Sequence, residues 1–171
     1  MDLEIHSMGP LMLPGMMYWW TNTAVEVGQD SRFFYFGRYA EGRHSWPVFD
    51  GLDYSKYRNR LGGGDMFLME SQRDYMAFYD DARRHGVANT ADRYAAPGQK
   101  YFTWGNDTIG RYWAKLLSDS EQTYCEIQRG RLPSQGITEP IPPQSDDAWT
   151  ETWMPLNDTD GFSHMENDLV L

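Results

Sequence analysis

Only one window of this chain repeats its apolar residues at helical spacing. Ile109, Tyr112, Trp113, Leu116 and Leu117 fall at i, i+3, i+4, i+7 and i+8, with Asp107 or Thr108 placed to cap the first turn. The pattern supports one short helix lying on a sheet. Strands must bury the remaining apolar residues, so the fold class expected is mainly β: an antiparallel β-sandwich.

Short β-prone runs bounded by turn residues fit that expectation. Tyr18 to Val25 reads as the first strand, entered at about Met16, because Gly9, Pro10, Pro14 and Gly15 break the preceding apolar stretch. Arg32 to Tyr39 reads as the second. Met66–Met69 and Tyr75–Tyr79 read as the arms of a hairpin around Ser71–Asp74, followed by a short strand at Gly86–Asn89. The Pro97-Gly98 turn leads into Lys100–Trp104, and Ala148–Met154 is the last strand. Glu41 to Gly64 is a long loop closing on three glycines, and its aromatic residues argue for function rather than disorder.

The 171 residues suit one domain, expected over residues 1–156, with 157–171 as a tail or linker stub. A formal net charge of -10 would repel a phosphate backbone, so nucleic acid is not an expected partner. No apolar run approaches the roughly 18 residues of a spanning helix, and Asp2 and Glu4 stand where a signal peptide would be basic. The expectation is a soluble cytoplasmic protein with no membrane partner. The single cysteine, Cys125, excludes an internal disulfide and reads as a small buried apolar residue. His6, His85 and His164 lack metal-ligand spacing, and no phosphate loop, dinucleotide fingerprint or nucleophile elbow occurs. No metal and no cofactor are therefore expected.

Candidate chemistry centres on Glu126. Thr123 to Arg129 alternates, placing Tyr124, Glu126 and Gln128 on one strand face and Cys125 and Ile127 on the other. A carboxylate beside a tyrosine and a carboxamide suits a cleft that hydrogen-bonds hydroxyl groups, and it is equally what the wet face of a sheet carries. Rings make up 15% of the chain at a mean hydropathy of -0.68. Trp19, Trp20 and Trp104 could present flat faces to a sugar ring, or simply pack in the core. His44 could supply an acid partner to a carboxylate base. Glu126 with Glu151, or with an acid of the Asp50–Asp53 stretch, could form the carboxylate pair of a glycoside hydrolase.

Four blocks carry a family resemblance: Tyr18–Val25, Asp53–Asn59, Pro97–Asn106 with its Lys-Tyr-Phe-Thr-Trp-Gly-Asn run, and Tyr124–Gly130. In this order, across roughly Met16 to Leu156, the chain resembles an uncharacterised bacterial family that precedes tetratricopeptide repeats in carbohydrate-locus proteins. The resemblance implies a galactose mutarotase-like fold, a β-supersandwich with an open sugar cleft. At this length it implies a partial one, whose exposed sheet edges a partner or a second copy would cover. Cys125-Glu126-Ile127-Gln128 is similar to the mutarotase strand carrying the glutamate base. Relatives often show His-His before the Pro-Gly turn, where this chain has Thr90-Ala91, and the mutarotase acid histidine has no clear match near Thr21-Asn22-Thr23. The resemblance thus implies sugar binding more than mutarotation, with Glu126 as base or acceptor, Asn22, Asn106 and Gln128 as hydrogen-bond partners, and Trp19, Trp20 and Trp104 as stacking surfaces. The alternatives are a non-catalytic protein-interaction domain using an aromatic surface, and glycoside hydrolysis.

Overall fold

The computed structural model describes residues 1–6, 15–17, 19–39, 44–119, 122–166 and 169–170. Expectations that fall on 7–14, on Tyr18 and on 40–43 lie outside them.

The chain is mainly β, with antiparallel pairing throughout the described strands and one α-helix among the described residues. In order run β1 Asp2–His6, β2 Trp20–Glu26, β3 Ser31–Phe34, β4 Arg38–Tyr39, β5 His44–Ser45, β6 Gly62–Met69, β7 Tyr75–Asp80, β8 His85–Thr90 and β9 Gly98–Gly105. Helix α1, Thr108–Leu117, precedes β10 Tyr124–Gly130, β11 Asp146–Thr150 and β12 Thr152–Asn157. One sheet has six strands in the order β2-β10-β9-β6-β4-β5, a second has four in the order β12-β8-β7-β3, and β1 pairs with β11.

Two expected connections differ from the sequence reading, for one reason. The run Arg32–Tyr39 is not one strand: β3 lies in the four-stranded sheet and β4 in the six-stranded sheet, and the chain crosses at Tyr35–Gly37. A Cβ on Gly37 would fall 2.5 Å from the Met69 carbonyl oxygen, so the crossing requires glycine. Likewise β6 and β7 do not form a hairpin. β6 pairs with β9 and β4, while β7 pairs with β8 and β3, so Glu70–Asp74 bridges the two sheets. The expected long loop also contributes structure: it holds β5, and its glycine triplet begins β6.

Aromatic side chains fill the space between the sheets. Phe33 stacks on Tyr101 at 4.1 Å, and Tyr35, Tyr57, Met66, Leu68, Met76, Phe78, Cys125 and Ile127 complete the cluster. Each such burial contributes roughly 1.5–3 kcal/mol, which is how a chain of low hydropathy sustains a core. Burial pushes the Cys125 thiol up to about 12, as suits the inert apolar role expected of it.

β7 is buried along its whole length. Its outer face, Tyr75, Ala77 and Tyr79, meets Leu156, Phe162 and Met165. The stretch after Leu156 is therefore not a free tail as far as Met165. Having no strand period, it gave no sign of burial, yet it covers a sheet face that would otherwise be wet.

Helix α1 begins where expected, with the Asp107 carboxylate accepting the Gly110 amide at 2.8 Å. Its orientation is not the expected one. Gly110 and Ala114 face the sheet, while Ile109, Tyr112, Leu116 and Leu117 are exposed.

Candidate functional site

The outward face of the six-stranded sheet brings the candidate residues together. Opposed residues of antiparallel strands point to the same side. The pairings Asn22↔Gln128↔Lys100↔Phe67 thus form one row across β2, β10, β9 and β6. The next row is Ala24, Glu126, Phe102 and Asp65. On the far side of the first row, Trp20 lies over Gly130 and Gly98, where added Cβ atoms would fall 2.2 and 2.5 Å from its ring. These two glycines make the flat seat for the indole.

Glu126 is half-buried, and its orientation is fixed. Asn22 Nδ2 and Gln128 Nε2 both donate to the same oxygen, Oε2, at 2.7 and 2.8 Å. Among the described residues no donor reaches Oε1. The network continues from Gln128 Oε1, which accepts Gln135 Nε2 at 3.3 Å, to Gln135 Oε1, which accepts Lys100 Nζ at 2.9 Å. Lys100 is buried, pairs with Asp65 at 2.8 Å, and lies 5.8 and 5.2 Å from the ring centres of Trp20 and Phe67. At the other end of the face Trp104 stacks on Trp113 of α1 at 5.3 Å and meets Tyr124 edge-on. Gly98 and Trp104 stand six residues apart on β9, so rings flank the Glu126 carboxylate over a span of about 20 Å.

Other expected site residues lie elsewhere. His44 contacts Phe49 at 4.1 Å, and its opposition to Tyr39, itself opposite the core residue Leu68, turns it to the other side of the sheet from Glu126. With β9, β6 and β4 between β10 and β5, about 19 Å separate the strands, so His44 cannot act as acid partner to Glu126. Asn106 donates to the carbonyls of Tyr57 and Arg58, so it braces the loop. Trp19 precedes β2 out of phase with Trp20 and exposes 45% of its surface.

Glu151 is wholly buried behind the sheet, accepting from Thr21 Oγ1, Trp149 Nε1 and Trp153 Nε1. It cannot form a hydrolytic pair with Glu126 across the sheet. Asp53 is held by Ser55 and Lys56 in its own turn. The other acids on the Glu126 face are Glu26, diagonal to it on β2 and 4.0 Å from Arg83, and Asp65, one strand beyond Phe102 and already paired with Lys100.

Sequence reasoning missed Lys100, Asp65, Phe67 and Gln135. The signal for Lys100 was present, since its period-two relation to Phe102 and Trp104 puts all three on one face. Gln135 sits in a turn-rich stretch that offered no periodic signal. Among the described residues, cavities of about 560, 330 and 560 Å³ lie around the Glu70–Asp74 bridge rather than on this face. Among the described residues no cluster of three His, Cys, Asp or Glu could hold a metal, and no helix is long and apolar enough to cross a membrane.

The chain is an antiparallel, mainly β assembly with an open polar and aromatic face, and several solved structures share its fold. The Slr1438 protein from Synechocystis sp. PCC 6803 matches 91% of this chain and half of its own, at 9% identity and a TM-score of 0.61. A proposed aldose 1-epimerase from Klebsiella pneumoniae matches 93% of this chain and 44% of its own, at 10% identity and a TM-score of 0.52. A TPR-domain containing protein from Parabacteroides distasonis superposes with a TM-score of 0.78 over 98% of this chain, at 20% identity. This chain spans 29% of that protein's length. Residues 6–156 match one family model, and the chain belongs to that family, described as Domain of unknown function (DUF5107).

Proposed function

We infer that the face around Glu126 binds a neutral sugar, with Glu126 accepting a ring hydroxyl and Trp20 and Phe102 offering apolar surface. The observation that carries this reading is the fixing of Glu126 through Oε2 alone. A carboxylate held by two amides on one oxygen presents the other in a set direction, the preorganisation that hydroxyl recognition requires. The same oxygen could take a proton from an anomeric hydroxyl, the step a mutarotase-like module would perform. The fold shared with a proposed aldose 1-epimerase supports a carbohydrate-processing role.

The test is ligand-observed NMR with galactose and glucose, beside polarimetry of their mutarotation. Glu126→Ala should weaken sugar binding by roughly 10- to 150-fold, the worth of a hydrogen bond to a charged group. Unaltered binding in a folded Glu126→Ala protein would sink the assignment.

A second reading, an interaction module, is favoured by one observation. Ile109, Tyr112, Leu116 and Leu117, with Leu61 nearby, expose apolar side chains at 47–68%. They present on the order of 600 Å² of apolar surface, at the upper limit for a monomer. Two copies meeting through it would bury about 1,200 Å², the lower limit for a specific interface. Sedimentation separates the readings: a sugar-binding monomer favours the first, a sugar-indifferent dimer the second.

A further inference from the structure

The bridge Glu70–Asp74 is held more firmly than a surface turn needs. The Arg73 carbonyl accepts Ser71 Oγ at 2.7 Å and Gln99 Nε2 at 3.2 Å, and the Asp74 carbonyl accepts Arg129 Nη2 at 2.6 Å. The Gln72 amide donates to the Phe36 carbonyl at 2.7 Å. Gln99 and Arg129 are themselves wholly buried. The turn is thus a rigid mount, and Gln72 and Arg73 project from it into solvent.

Beside it lies a cavity of about 560 Å³, within the usual range for small-molecule sites. Tyr35 and Trp46, edge to face at 5.8 Å, line it with Phe36, and Arg38, Gln72 and Arg73 add polar groups. Tyr35 is fixed by its hydroxyl, which donates to the Lys100 carbonyl. The chain carries 25 acids to 15 bases, so a guanidinium without a partner is unexpected. Among the described residues Arg73 is that case. Arg32, Arg38, Arg58, Arg83, Arg84, Arg93 and Arg131 pair with carboxylates. Arg60 lies over rings, Arg111 bonds a carbonyl, and Arg129 is internally bonded. Among the described residues no carboxylate, carbonyl or ring engages the guanidinium of Arg73.

We propose that this cavity is a second ligand site, separate from the Glu126 face, and that it takes an acidic sugar: a pyranose bearing a carboxylate. The rings receive the C–H face of the pyranose, Gln72 meets its hydroxyls, and Arg73 binds the carboxylate. Charge selects a monoanion. Among the described lining residues Arg38 is engaged, with Glu70 3.9 Å away, so the single guanidinium of Arg73 supplies the charge for a ligand. A phosphate dianion would face the Glu70 carboxylate uncompensated.

The test is calorimetric titration of the full chain carrying Glu126→Ala, in which the neutral-sugar face is silenced, with glucuronate, glucose and glucose 6-phosphate. Glucuronate is expected to bind at least about tenfold tighter than glucose, and Arg73→Gln to abolish that difference. Because the neutral-sugar face is already silenced in this background, glucuronate binding reports the cavity alone, and the two sites fail independently. Equal affinity for glucuronate and glucose, or unchanged glucuronate affinity in Arg73→Gln, overturns the proposal. Tighter binding of glucose 6-phosphate overturns the carboxylate assignment. Should Arg73→Gln melt early, Gln72→Ala takes its place: a several-fold weaker affinity supports the site, and an unchanged one refutes it.

Discussion

Replacing Arg129 with methionine removes the most heavily engaged side chain of the interior. Its guanidinium donates to Asn89 Oδ1 at 2.8 Å, the Ala96 carbonyl at 3.2 Å and the Asp74 carbonyl at 2.6 Å, with no exposed surface. Three charge-assisted bonds at roughly 1.5–3 kcal/mol each set an upper bound near 9 kcal/mol. Desolvation opposes them, since burial brings the guanidinium down to about 10 despite the nearby Glu151 carboxylate. Methionine recovers that desolvation and fills the space of the stem, but it leaves three buried acceptors without their donor and the buried Glu151 carboxylate without its nearby positive charge. Removing one member of such a group costs about 3–5 kcal/mol. In a chain of this size that corresponds to a fall in Tm of roughly 6–20 °C.

Urea denaturation, compared at constant m, measures the loss. Arg129→Lys should be intermediate, because an ammonium reaches fewer of the three acceptors than a guanidinium fork. Hydrogen exchange adds a local readout: the Ala91 amide, which donates to the same Asp74 carbonyl at 3.0 Å, should lose protection first. A loss below about 1 kcal/mol with exchange unchanged would refute the reasoning, for it would mean that water satisfies the three acceptors as well as arginine does.

Two more perturbations test the frame around the sites. Gly130→Ala places a methyl 2.2 Å from the Trp20 ring and should cost about 1–3 kcal/mol as the indole is lifted, read as a lower melting temperature with weaker sugar binding; an unchanged melt would show that the ring does not depend on its glycine seat. For Asp80, burial raises the carboxyl, but hydrogen bonds from Ser31, the Arg83 amide and the Arg83 guanidinium outweigh it and leave the group below its ordinary value. The stability it contributes is present above the unfolded value of about 3.9 and is lost as pH falls through the folded value. Asp80→Asn should therefore flatten acid destabilisation in that window, and urea midpoints at pH 3 and pH 7 that shift equally for both proteins would contradict this.

The sequence carried what has a short period. The alternation of Tyr124–Gln128 and the spacing of Ile109–Leu117 each located an element, because side-chain direction repeats every 2 or 3.6 residues. It could not carry partners distant in the chain. Met66–Met69 and Tyr75–Tyr79 look like hairpin arms since neighbours in sequence usually pair, and only the crossing at Gly37 and the bridge at Glu70–Asp74 assign them to different sheets. The helix shows the limit of periodicity from the other side. Its apolar stripe suggested burial, yet a Cβ on Gly110 would fall 2.2 Å from the Gly105 carbonyl oxygen, so this glycine faces the sheet with Ala114, and of the stripe Trp113 alone packs on Trp104. Cross-strand rows such as Glu126, Phe102 and Asp65 need a register, and register is a tertiary property.

That register ties the candidate site to the core. A slip of one residue in β10 would exchange Glu126 and Gln128 with Cys125, Ile127 and Arg129, sending the carboxylate inward and the guanidinium out. Several interactions resist it together. Arg129 finds its three acceptors only in the present register, Gly130 must fall beneath Trp20, and Ile127 must meet Tyr101 in the aromatic layer. The residues that fix the strand are thus not those that face solvent. Because Asn22 stands opposite Gln128 in the same pairing, the register that buries Arg129 also brings both amides to one oxygen of Glu126. Loss of Arg129 should therefore disturb the outward face before it unfolds the chain, and binding at Glu126 should weaken in Arg129→Met even below its melting temperature.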